Sequence, residues 1–378
     1  MEVKFETAIF YQALTKAIRG CALRDTRAEL LNIKLEVEYG QKANLIATDG
    51  NCSIRVELPA VEIACGGKVI LPAQKFKTIL SNLPEAESII TLRSKGDKDT
   101  ELELESKRAL MCFTTQDASL FPIIPVFTAD SFYQIERQGL WDAIQMTRFA
   151  VDNQSSHYAL SGICIELSET GFTAVATDGR RLVKAELPMK TIGIPGEQIA
   201  LVPVKGLELV KTFSEETVDI SAESNSVWLR CGEITLKLSE IEGRFPNWRK
   251  AIPNTLGKKV AELGLSNLVQ NVRIAQTTTT DKHSGVHFNF SEKGLRLASF
   301  GEEVGSSTIE VPSTYDGETS TVNLDCRFLI EYLNTLLALY SGMEKEEKTV
   351  KLYFQNENSP VRFDCDNTSY TLMSLSTT

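Results

Sequence analysis

Residues 30–59 read LLNIKLEVEYGQKANLIATDGNCSIRVELP, and residues 159–188 read ALSGICIELSETGFTAVATDGRRLVKAELP. Ala-Thr-Asp-Gly stands at 47–50 and again at 176–179, and in both stretches Leu-Pro begins ten residues after the threonine. A weaker third copy, residues 284–312, reads SGVHFNFSEKGLRLASFGEEVGSSTIEVP, with Ala298-Ser299-Phe300-Gly301 matched to the turn. Thr48, Thr177 and Ser299 are 129 and 122 residues apart. One fold of roughly 125 residues is therefore used three times, which places function in an assembly rather than in one cleft.

The flanks of each turn alternate as half-buried strands do: Ile54, Val56 and Leu58 against Arg55 and Glu57. Asp-Gly predicts a type I′ hairpin turn with positive φ at both central residues. Two amphipathic helices are expected per repeat, over 6–20 and 73–83, 139–151 and 204–213, 265–275 and 326–338. Phe76, Ile79, Leu80 and Leu83 form one apolar stripe, and Phe328, Leu329, Tyr332, Leu333 and Leu336 form another. Proline-bearing linkers fall at 121–129 and 245–257. The fold class is α+β, with three repeated domains over 1–128, 129–253 and 254–378, each placing two helices on antiparallel sheets.

No apolar run approaches the ~18 residues of a membrane helix. The mixed, acidic start is unlike a signal peptide, so a cytoplasmic location is expected. Eight cysteines are scattered without a C-x-x-C, which argues against zinc and redox motifs and for mostly buried thiols. No cofactor and no metal are expected. The net charge of −10 argues against a generic nucleic-acid binder unless its cations are segregated. They are: the six expected helices hold nine Lys and Arg against four Asp and Glu. If those helices share one side, it attracts phosphate weakly and without sequence preference, whereas the same count also describes ordinary solvated helix faces.

Asp49 and Asp178 are read as turn residues rather than catalytic ones, since no nucleophile–base pair or phosphate loop accompanies them. Arg180-Arg181-Leu182 replaces Asn51-Cys52-Ser53 of the first copy, either for a task done in one repeat or through drift. The terminal run Tyr370–Leu375 is either an adaptable peptide-binding edge or the last core strand.

ATDGRRL at 176–182, FPNWRKAIP at 245–253, the Ser-Gly before Ile163 and the terminal YTLMSL together resemble the bacterial beta sliding clamp, the processivity subunit of DNA polymerase III. The resemblance covers the whole chain in length and motif order. It implies three clamp-type domains in a head-to-tail homodimer that closes into a ring around duplex DNA without sequence specificity. It also implies tethering of the replicative polymerase, a clamp loader that opens the ring, and other partners carrying short clamp-binding peptides. No catalytic activity and no membrane are implied. An enzyme using the Asp178/Arg181 neighbourhood, and a ring scaffold that never loads on DNA, are the rival readings.

The resemblance carries a partner-peptide groove onto Leu160, Thr177, Gly179, Arg180, Arg181, Leu182, Pro246, Lys250, Ala251, Phe328, Thr371, Leu372, Met373, Ser374 and Leu375. Ser374, Ser376, Trp248 and Lys250 depart from the usual family residues. The DNA channel would carry Lys16, Arg19, Arg24, Lys75, Lys77, Arg148, Lys205, Lys211, Arg273 and Arg327. The dimer interface would place Met111 and Phe113 against Arg273, Thr277 and Thr278 of the partner.

Overall fold

Among the described residues six α-helices form where the apolar stripes lie: α1 (Thr7–Ala17), α2 (Ala73–Asn82), α3 (Arg137–Arg148), α4 (Val204–Leu207), α5 (Leu265–Gln276) and α6 (Cys326–Tyr340). The computed structural model describes residues 1–378 except 39–41, 85–87, 96–99, 153–157, 224, 256–258, 282, 342–347 and 377–378. α3 begins two residues before the expected start and ends three earlier. The expected helix over 204–213 is one α-turn that continues as a 3₁₀ stretch, Glu208–Thr212. Its Gly206 lies against the sheet, where a Cβ would meet Cys52 Sγ at 2.7 Å and Leu238 Cδ2 at 2.8 Å. The close approach requires glycine, and glycine weakens the helix.

The chain divides into two compact units. One is Met1–Arg137, Lys190–Ala200 and Lys205–Glu240; the other is Gln138–Met189, Leu201–Val204 and Ile241–Thr378. All paired strands described are antiparallel, in sheets of five, nine, nine and four strands. In the first unit, strand Cys52–Leu58 of the first repeat pairs with Ile234–Ser239 of the second, so one nine-stranded sheet runs through the junction. In the second unit, Arg181–Leu187 pairs with Thr368–Leu372 of the third repeat in the same manner.

Both junctions keep one register. In the first unit, a row runs Tyr133–Ile220–Leu229–Leu236–Ile54–Ala47 across six strands, and every member is fully buried. In the second unit, the row is Ala261–Leu352–Phe363–Tyr370–Val183–Ala176, again fully buried. Each row starts four residues before a helix: Tyr133 before Arg137, Ala261 before Leu265. The row that starts four residues before α1, Val3–Leu92–Leu104–Met111, stops at the edge strand Leu110–Thr114.

The third hairpin corrects the sequence alignment by one residue. Val286 pairs with Leu324, two residues before α6, as Ile33 pairs with Leu71, two residues before α2. Val286 and Phe288 face Ser299 and Leu297. Leu35 faces Leu45, so Leu297 matches Leu45 and Ser299 matches Ala47, not Thr48. A slip of one residue exchanges the faces of a strand. The burial agrees: Leu295, Leu297 and Ser299 are buried, while Phe300 is exposed. This hairpin also runs longer, with Gly301 paired to Gly305.

The two Asp-Gly turns are not type I′. Only the glycines have positive φ, +97° at Gly50 and +84° at Gly179, and neither aspartate does. The side chains build these turns instead. Asp49 Oδ1 accepts from the Asn51 and Cys52 N–H, and Asp178 Oδ1 accepts from those of Arg180 and Arg181. Asx chemistry therefore replaces the second left-handed residue.

Candidate peptide groove and assembly edges

The two Asp-Gly turns share their internal bonding and differ in the strands that leave them. Thr177 Oγ1 donates to the Arg181 carbonyl at 2.6 Å and accepts from the Gly179 N–H at 3.1 Å, as Thr48 does with Cys52 and Gly50. Where the first turn has Cys52, the second has Arg181, whose guanidinium is only 8% exposed. It donates to Asp178 Oδ2 (2.9 Å), to the Phe149 carbonyl (2.7 Å) and to Glu331. It also lies over the rings of Phe328 (4.5 Å) and Phe149 (5.3 Å). Burial opposes its charge, but the Glu331 hydrogen bond and nearby carboxylates outweigh that and hold it above the ordinary arginine value. A buried guanidinium with every donor edge engaged fixes the strand beside it.

That strand carries Leu182, buried with Val175 and Trp248 and flanked by Phe245 and Ile252. Trp248 Nε1 donates to Glu166 at 2.8 Å, and Arg249 covers the same indole at 4.2 Å while pairing with Glu166. Burial pushes the Glu166 carboxyl up, but the Arg249 and Trp248 hydrogen bonds prevail and hold it below the usual range. Across the junction the Met373 N–H donates to the Arg180 carbonyl at 3.0 Å, leaving the Met373 side chain 48% exposed.

Together these residues border an apolar cavity of about 200 Å³. Its walls are Leu160, Thr177, Gly179, Arg180, Arg181 and Leu182 on one side, with Pro246, Trp248, Ala251, Thr371 and Met373 completing it. Ten of the fifteen residues expected there line it. The other five do not. Lys250 is the exposed last residue of the 3₁₀ turn that begins at Trp248, and Phe328 lies beneath Arg181. Leu372 points into the core at 1% exposure because strand alternation turns it away from Thr371 and Met373. Ser374 bridges to Leu324, and the Leu375 N–H donates to the Asn323 carbonyl. The terminal run is thus a core strand over Thr368–Leu372 that leaves Met373 exposed on the cavity wall. Trp248, noted only as a departure from the family pattern, is a wall; its place after Phe-Pro was the available signal.

Two family models match the chain: the DNA polymerase III beta subunit N-terminal domain over residues 1–125, and its central domain over residues 134–247. The beta sliding clamp of Vibrio cholerae is 29% identical over 313 residues, spanning 81% of this chain and 82% of that protein. That of Caulobacter vibrioides is 28% identical, spanning 88% and 89%. The chain belongs to the bacterial beta sliding clamp family. Its role is that of a DNA sliding clamp in replication. The fold agrees along the full length: the DNA polymerase III subunit beta of Pseudomonas aeruginosa superposes with a TM-score of 0.87 over 100% of both chains at 23% identity.

The cations expected to face DNA in this sliding clamp are not equally available. Lys16 pairs with Glu233 at 2.6 Å, Lys205 with Asp49, and Arg327 with Asp325 at 2.7 Å and Asp281 at 3.6 Å. Burial pushes the Asp49 carboxyl up, yet Lys205 and the turn N–H groups hold it below the usual range. Arg273 donates to Asn334 Oδ1 at 2.6 Å, and Arg148 to Gln145 Oε1 at 3.3 Å. Arg19, Arg24, Lys75 and Lys211 are exposed and Lys77 is half-buried; none has an ion pair among the described residues.

Met111 and Phe113 are half-buried on the edge strand Leu110–Thr114, and Phe113 packs on Phe76 of α2 with ring centroids 5.2 Å apart. Thr277 caps the C-terminus of α5, and Thr278 follows it. Thr278 Oγ1 joins Ser299 and Ser307 in a hydroxyl cluster beside the other edge strand, Gly305–Val311. Sequence reasoning missed Ile274, an apolar residue 46% exposed beside Arg273. Its signal was a break in the polar face of α5. Among the described residues, no cluster of three or more His, Cys, Asp or Glu fits a metal ion, and no helix is long and apolar enough to cross a membrane.

Proposed function

We propose that two copies of this chain close head to tail into a ring around duplex DNA, and that the ring tethers the replicative polymerase and other peptide-bearing partners through the groove at Leu182 and Met373. The observation that carries this reading is the unfinished third row. At both internal junctions the strand after the Asp-Gly turn pairs with the last strand of the next repeat. The third repeat's equivalent strand, Gly305–Val311, and the first repeat's last strand, Leu110–Thr114, end the four- and five-stranded sheets. Joined between copies, they make nine strands, as in the other two sheets. Unpaired edges of this kind are sites of association, and a heterologous contact that closes gives a ring.

The junction register extends directly. Ile54 faces Leu236 and Val183 faces Tyr370, so Ser307, their counterpart, should face Met111 of the second copy, and Ser306 should face Cys112. On this reading the domains are 1–128, 129–253 and 254–378, and the helical segments carry Arg19, Lys75, Lys77, Arg148, Lys211 and Arg273 toward the DNA, with Arg24 on the loop that follows Arg19. The chain itself is non-catalytic. A separate ATP-dependent loader opens the ring, consistent with the lack of a G-x-x-x-x-G-K-[ST] sequence, and the ring works in the cytoplasm.

Cysteine crosslinking tests the closure. Facing residues of an antiparallel pair have Cα atoms about 4.5–5.5 Å apart, within disulfide range. In a Cys65→Ser background, Ser306→Cys should oxidise with Cys112 to a covalent dimer. Ser307→Cys, on the opposite face, should not. Faster crosslinking of Ser307→Cys, or of neither, would refute the register.

A further inference from the structure

We propose that the first repeat carries a second docking site, a cleft beneath the 117–123 segment that takes a peptide bearing a carboxylate beside apolar side chains. The cleft encloses about 610 Å³ and is lined by Lys34, Lys68, Asp117, Ser119, Phe121 and Ile123 among others. Lys34 is the informative residue. It is 7% exposed, yet its ammonium donates no hydrogen bond among the described residues. Its nearest carboxylate, Glu36, is 4.0 Å away and is already held by Lys68, with Arg55 at 3.9 Å. The other acid at the cleft, Asp117, spends Oδ1 on the Ser119 N–H. The Phe121 ring lies 5.3 Å from the Lys34 ammonium. Burial and the neighbouring Lys68 and Arg55 charges depress the Lys34 pKa, with Glu36 opposing them only in part. Lys34 is a mostly buried lysine whose ammonium opens on the cleft with one distant, shared counterion, and a ligand carboxylate would complete it.

The apolar half of the ligand is argued from the linker. Leu120, Ile123 and Val126 are 63%, 94% and 58% exposed within seven residues. Such a strip beside an unsatisfied cation suits an acidic–apolar peptide better than a nucleic-acid phosphate. The second repeat shows the closed alternative. Glu166 is the counterpart of Glu36, and Cys164 stands at the position of Lys34. There the linker supplies Trp248 and Arg249, which cap the glutamate and fill the space. In the first repeat the matching linker residue, Ile124, packs against Ile46, Ile70 and Phe121 and accepts from Arg55 at 3.4 Å, but its apolar side chain cannot cap Glu36 as Trp248 and Arg249 cap Glu166. This site lies wholly in the first unit and shares no residue with the groove at Met373, so either can fail without the other.

The probe is the acetylated, amidated tripeptide leucine-aspartate-phenylalanine, titrated calorimetrically into the full chain. Saturable binding below about 1 mM is expected. Lys34→Met should weaken it roughly tenfold or more, and so should asparagine in place of aspartate in the peptide. Lys68→Gln should weaken it severalfold by releasing Glu36 to Lys34. The groove variant Leu182→Ala with Met373→Ala should bind unchanged. Because Lys34 is unsatisfied, Lys34→Met should keep or raise the melting temperature, whereas a purely structural lysine would lower it. The proposal is overturned if binding is absent, if it survives Lys34→Met, if it disappears in the groove variant, if inorganic phosphate competes equally, or if Lys34→Met melts several degrees lower.

Discussion

Arg181 joins the Asp-Gly turn, the end of α3 and the face of α6 through one side chain, and its removal strands Asp178 in a largely buried position. Breaking a buried pair on one side costs about 3–5 kcal/mol. Glu331 is half exposed and rehydrates, so Arg181→Met should cost about 3 kcal/mol, read from urea denaturation, and loosen the groove wall. A cost under about 0.5 kcal/mol would show that the network is ornamental. Glu166 adds a pH signature. Its folded pKa lies below the ordinary glutamate value of about 4.3, so its contribution is complete above that pH and fades as pH falls through the folded value. The stability gap between the native chain and Glu166→Gln should therefore narrow on acidification from pH 7. A constant gap would contradict it. The sequence marked Arg180-Arg181 as unusual. It did not show which arginine is buried, because that depends on α3 and α6 arriving from distant positions in the chain.

Helices and strands were largely legible, since apolar periodicity reports burial and burial organises these elements. Three features were not. The Asp-Gly dipeptide names a turn but not its hydrogen bonds, and here the carboxylates displace the type I′ geometry. Gly206 shortens α4 because of a sheet contact that no local window contains. The third repeat was matched one residue out, since its hairpin is longer and similarity at a turn tip does not fix strand register. Groove and edge elements yield two expectations. Leu182→Ala with Met373→Ala should abolish polymerase-peptide binding, measured by fluorescence anisotropy, while the oligomeric state stays native; undiminished affinity would displace the groove. Phe113→Asp places a charge against Phe76 at the proposed junction, where an unpaired buried charge costs several kcal/mol. Light scattering should find folded monomers, and a dimer persisting at micromolar concentration would move the junction elsewhere.

For the whole molecule, the charge total was legible but its availability was not. Lys16, Lys205 and Arg327 carry carboxylate partners that lie outside the helix faces on which they were counted. Weak, salt-sensitive attraction to linear duplex is expected, since each phosphate contact releases counterions. Retention on a closed DNA circle should instead survive high salt and be lost on linearisation; equal retention on both would rule out encirclement. Neutralising Arg19, Lys77, Lys205 and Arg273 together should impair loading more than retention, with Arg19→Ala alone outweighing Lys205→Ala because Asp49 already offsets the lysine. The thiols add a clock. Cys21, Cys52 and Cys164 are buried with burial pushing each up to about 12, and Cys231, Cys326 and Cys365 are buried as well. Only Cys65 and Cys112 are exposed in the single chain, and Cys112 stands on the strand that the ring would cover. In a Cys65→Ser background, alkylation would then strike almost solely where the circle parts, so its rate in the closed dimer counts how often the gate breathes, read from a cysteine the chain already carries.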